Sequence, residues 1–78
     1  MWPDTYYAVK PFFMTEEGVQ EGETFLVPCA AAGLRYADKL NDRLVGIIVF
    51  SRSMSPMFNG WNPAIILGVF GEVPEDAF

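Results

Sequence analysis

The stretch CAAAGLRYADKLNDR (residues 29–43), followed directly by LVGIIVFS (residues 44–51), decides how the chain reads. In the first segment Ala30, Leu34, Ala37 and Leu40 recur at helical spacing and form one apolar face. Arg35, Asp38, Lys39 and Asp42 point away from that face. Arg35 and Asp38 stand one turn apart, a pairing worth a few tenths of a kcal/mol, roughly. The alanines let such a helix sit close to a sheet. Gly33 costs about 1 kcal/mol against alanine in a helix interior, so it marks either a very close backbone contact or a weakened first turn. The second segment is branched, continuous and free of proline, as a central strand is.

Working outward, TYYAVKPFFM (residues 5–14) reads as a strand rich in aromatic and branched residues. Pro11 lacks an amide donor, so this strand is expected to end near it or to run along an edge. TEEGVQEGE (residues 15–23) is polar and acidic and reads as a hairpin connection, with a short strand at residues 24–27 stopped by Pro28. SMSPMFNGWNP (residues 53–63) is a connection whose Asn59-Gly60 pair suits a tight turn. AIILGVF (residues 64–70) is the last strand, and an acidic tail follows. The expected fold is α+β: a β-β-α-β-β antiparallel four-stranded sheet with one helix on one face, in a single domain over residues 1–78.

One helix covers one face, so the other should alternate to polar residues. It does not. Val45, Ile47 and Val49 alternate with Gly46, Ile48 and Phe50; Ile65, Leu67 and Val69 alternate with Ala64, Ile66 and Phe70; Tyr7, Val9 and Phe13 alternate with Tyr6, Ala8 and Phe12. An open apolar face of that extent calls for a cover. A partner, a second copy of the chain, folded-back connections or a curled sheet would each supply one.

Composition limits the chemistry. The chain has no histidine and one cysteine, which rules out an internal disulfide and the usual zinc and transition-metal sites. Ser51, Ser53 and Ser55 have no histidine base, and there is no glycine-rich phosphate loop or calcium loop. Cys29 stands where the helix starts, as a thiol under the helix dipole or as a small capping or buried residue. The expectation is a non-enzymatic protein with no cofactor. The formal charge of −5 disfavours direct nucleic-acid binding and is compatible with a basic partner. Met1-Trp2-Pro3-Asp4 does not read as a signal peptide, and no apolar run approaches the ~20 residues of a membrane span. The expected location is the cytoplasm, with no membrane partner.

Candidate contact residues fall in three groups. Glu16, Glu17, Glu21 and Glu23 lie in the first connection, where they either imitate phosphates before a basic groove or form a solvated loop. Glu72, Glu75 and Asp76 lie in the tail, with the same two readings. Met57, Phe58 and Trp61 lie among turn residues, as interface anchors or as an extension of a small core.

The segments "AGLRYADKLNDRLVGIIVFSRS" and "AIILGVFGEVPED" resemble short uncharacterised proteins of alphaproteobacteria and their mobile elements, over roughly residues 31–76. The whole chain resembles small phage-type anti-CRISPR proteins: very small, acidic, built of sheet and helix, without enzyme motifs. That resemblance implies an inhibitor that binds a CRISPR surveillance complex in the host bacterial cytoplasm and blocks target DNA binding. In the short proteins the connection before the last strand is polar and acidic. Here it is "SMSPMFNGWNP", which moves the expected contact toward an apolar centre. The alternative is a small cytoplasmic homodimer with a binding or structural role.

Overall fold

The computed structural model describes residues 5–40, 44–55 and 60–75. Its elements, in order, are β1 (Thr5–Thr15), β2 (Gly18–Glu21), β3 (Phe25–Val27), α1 (Ala30–Leu40), β4 (Gly46–Ser55), β5 (Gly60–Trp61) and β6 (Ile65–Gly71). The α+β class is as expected, but the sheet has six strands in a curled half-barrel in place of four.

Proline accounts for much of that difference. All pairings are antiparallel, and β1 lies beside β4 over eight residue pairs, Thr5↔Ser53 to Phe12↔Gly46. On its other edge β1 meets β2 through Phe12–Thr15 and β3 through Tyr7–Val9. Pro11 falls between those two stretches. Its carbonyl accepts the Gly22 amide at 2.8 Å, so its missing N–H faces the same outer edge, at the gap. A ladder bond cannot form there. The strand therefore runs through Pro11 as an interior strand, contrary to expectation, and the outer lane breaks into β2 and β3. The other outer lane divides in the same way. β4 pairs with β6 through Gly46–Ser51 and with β5 through Met54–Ser55, and Pro63 lies in the break between them. Six strands thus occupy four lanes.

The β1–β2 turn is Glu16–Glu17, with Gly18 at a φ of 111°. The Thr15 hydroxyl donates to the Gly18 carbonyl at 2.9 Å and accepts the Glu17 amide at 3.2 Å. The expected Asn59-Gly60 turn lies partly outside the described residues; Gly60 opens β5.

The core forms between α1 and one sheet face. Val9, Ala37, Ile47 and Val49 are fully buried, with Phe25, Val27, Leu34, Leu40, Leu44, Leu67 and Phe70 packed around them. Gly33 is the close-contact residue of its two readings. A methyl group there would lie 2.9 Å from Val49 Cγ1 and 3.3 Å from Val27 Cγ2. Leu67 and Phe70 both reach this core because a bulge opposite Val49/Phe50 breaks the alternation of β6. Cys29 is exposed, not buried, and its carbonyl accepts the Gly33 amide that opens the helix.

Gly71, at a φ of 70°, turns the chain back over the sheet. The Glu72 amide donates to the Val45 carbonyl at 2.8 Å, and the Glu72 carbonyl occupies the space where a Gly46 side chain would stand. A backbone cannot yield there as a side chain can. Gly46→Ala should therefore cost about 3 kcal/mol of unfolding free energy in urea titration. Gly33→Ala should cost less, about 1 kcal/mol net, because better helix propensity offsets part of the crowding.

Candidate protein-binding surface

The register fixes what the second sheet face carries. Tyr6, Ala8, Lys10 and Phe12 on β1 share it with Ile48, Phe50, Arg52 and Met54 on β4. Glu21 joins them across from Phe12, Leu26 from Ala8, Val69 from Ile48, Ile66 from Phe50 and Trp61 from Met54. No helix covers this face among the described residues. Phe12, Ala8 and Ile48 are nonetheless buried, while Leu26, Met54, Trp61, Ile66 and Val69 stand 41–70 % exposed. The tail closes part of the face, since a Gly46 methyl would also meet Val73. The expected apolar second face is present and incompletely covered.

The two ends of this face differ in chemistry. At one end Glu21, Phe12, Gly46 and Gly71 stand in a single cross-strand row. The Glu16–Glu17 turn extends from β1 and β2 at this end, and Glu72 follows Gly71 there. Carboxylates more than fifty positions apart in sequence are thus gathered at one end of the sheet. Glu16, Glu17, Glu23 and Glu72 are exposed. Glu21 is not a free charge: it pairs with Lys10 at 2.9 Å. Glu23 lies in the β2–β3 connection and Glu75 just beyond the tail crossing.

The other end, about 27 Å away along β4, is aromatic. Tyr6 meets Trp61 edge to face at 5.2 Å and Phe50 at 6.5 Å. Trp61 is 47 % exposed, half packed against Tyr6 and half open. The Arg52 Nε–H donates to the Asn62 carbonyl at 3.3 Å, and the Asn62 side chain donates to Ser53 Oγ at 3.0 Å. Met57, Phe58 and Asp76 lie outside the described residues.

Between the two ends lies a cleft of ≈ 390 Å³, floored by Ile48 and Phe50, bordered by Pro63, Ala64 and Ile66, and flanked by Lys10 and Arg52. Sequence reading missed it. The available signal was two cations in otherwise apolar strands, Lys10 in "AVKPFF" and Arg52 in "VFSRS".

Among the described residues no group of three or more acidic, cysteine or histidine side chains is placed to hold a metal ion. Among the described residues no helix is long and apolar enough to cross a membrane. Comparison with protein-family models, curated proteins and solved structures gave no match.

If the second face is a surface and not a core, its exposed residues tolerate polar replacement. Leu26→Thr and Val69→Thr, which keep strand propensity, should each shift unfolding free energy by less than about 1 kcal/mol. Ile47→Ala on the helix side should cost about 2–5 kcal/mol. Equal losses at all three positions in urea titrations would contradict this division.

Proposed function

We propose that this chain is a non-enzymatic binding protein that occupies the basic surface of a nucleic-acid-handling protein complex through its second sheet face. The gathering of Glu16, Glu17 and Glu72 at one end of an apolar face carries this reading. Exposed carboxylates steer a protein toward a basic surface, and desolvated apolar side chains hold it there. The CRISPR surveillance complex is the member of that class implied by the resemblance, and the host bacterial cytoplasm is the corresponding setting. Blocking target DNA follows from mass action, because protein and DNA compete for one basic groove.

A second reading, homodimerisation, has its own support in the edge strand β6. Its sequence IILGVFG has no charge and no proline, the usual protections of an open edge. Among the described residues it pairs with β4 alone. A second copy adding its β6 across a two-fold axis would continue the sheet.

The first reading is tested by target-DNA binding to purified surveillance complexes of several types, with and without the protein. At least one should lose DNA binding. The triple change Glu16→Gln, Glu17→Gln and Glu72→Gln should weaken inhibition about tenfold, mainly through slower association, and raised salt should do the same to the parent. Unimpaired DNA binding by every complex would end this reading. The second predicts a solution mass of about two chains at micromolar concentration, reduced to one by Val69→Lys. A monomeric parent would overturn it.

A further inference from the structure

The cleft flanked by Lys10 and Arg52 has a chemistry unlike that of the rest of this acidic chain. The full sequence contains five lysine and arginine residues, and β1 and β4 carry two of them. Both line the same cleft. Arg52 stands four residues from Ile48 on β4, about 13 Å along the strand. Lys10 stands directly across from Ile48 on β1. The space between these two levels is floored by Ile48 and Phe50 and bordered by Ile66, Pro63 and Ala64. The cleft volume of ≈ 390 Å³ falls in the range of small-molecule sites, about 300–1,000 Å³.

The two cations are not equivalent. Glu21 sits 2.9 Å from Lys10 and answers its charge. Arg52 is held differently: its Nε–H is directed to the Asn62 carbonyl, which fixes the guanidinium plane, and among the described residues it has no carboxylate partner. A fixed guanidinium at one end of an apolar trough suits one anionic group attached to an apolar body. We propose that the cleft binds a small amphiphilic carboxylate, its head on Arg52 and its apolar chain over Phe50 and Ile48 toward Lys10. The face then has two separate uses, because the carboxylates that support docking stand at its opposite end.

Octanoate is the probe, with 1-octanol as the uncharged control. Titration into the full chain is followed by amide chemical shifts. Octanoate should give saturable shifts centred on Lys10, Ile48, Phe50, Arg52 and Ile66, and octanol should bind about tenfold more weakly. Arg52→Gln should weaken octanoate about tenfold with no effect on octanol. Glu21→Gln, which releases Lys10 at the tail end of the ligand, should change octanoate affinity less than about twofold, because the head lies more than a Debye length away. Circular dichroism checks that each variant folds, and the titration of the parent decides the matter if Arg52→Gln does not. Absence of saturable shifts with octanoate at millimolar concentration overturns the proposal. So does equal affinity for octanol, or indifference of octanoate to Arg52→Gln in a variant that folds. None of these outcomes bears on the binding of a protein complex, which is read by DNA competition.

Discussion

The approach of Gly33 to Val49, Val27 and Val9 sets the position of the helix, and much of the molecule depends on it. An eleven-residue helix offers a short apolar stripe, and here the stripe is mostly small: Gly33 and Ala37 are its buried residues. Small residues contribute little area of their own. They compensate by letting the helix descend until Leu34 and Leu40 reach the core from either side of them. Gly68 on β6 serves the same approach from below, since a methyl there would lie 2.8 Å from Leu34 Cδ2. The core is therefore thin and dense, built around Val9, Ile47 and Val49 on the two interior strands.

A core of that kind leaves the second sheet face without a layer of its own. The chain closes it in part with local means. Gly71 reverses the backbone so that Glu72 and Val73 cross at Gly46, and Tyr6 packs edge to face with Phe50 and Trp61 at the other end. The margins stay exposed, with Leu26 on β3 open and Ile66 and Val69 on β6 about half open. Evolved monomers seldom keep such a contiguous apolar surface without a use for it. Its position between a carboxylate end and an aromatic end gives any partner a defined orientation.

Local patterning made the helix legible through its period, and the two interior strands and the last strand through their runs of branched and aromatic residues. Ala30, Leu34, Ala37 and Leu40 specified the helix face, and Ile47 and Val49 the matching strand face. The short strands β2 and β5 were not legible. Each is held by pairing with a neighbour and has too few residues for a period of its own. Pro11 predicts a strand that ends near it or runs along an edge, because a sequence does not reveal on which side a missing donor will fall. It falls on the outer edge, where the neighbouring lane breaks. For the surface, the acidic clusters were visible as composition, but their meeting at one end follows from the β1–β4–β6 register. Glu21 looked like a loop charge and proves to be the partner of Lys10.

The same register explains how an acidic chain keeps a cationic cleft. Glu21 stands across from Phe12 and reaches Lys10, so one carboxylate of the acidic end is turned inward along the face. Glu16, Glu17 and Glu72, all exposed, lie on the β1–β2 turn and at the start of the tail, at the far side of that row from Arg52. Arg52 lies about 20 Å farther along β4 than Gly46, beyond two Debye lengths at physiological salt. The outer carboxylates therefore do little to neutralise it through solvent. Its nearest described support is a neutral carbonyl, that of Asn62. Among the described residues, the sheet thus sets the exposed carboxylates of one end apart from the cation at the other. The pairing of β1 with β4 performs that separation, and it is the longest ladder in the fold.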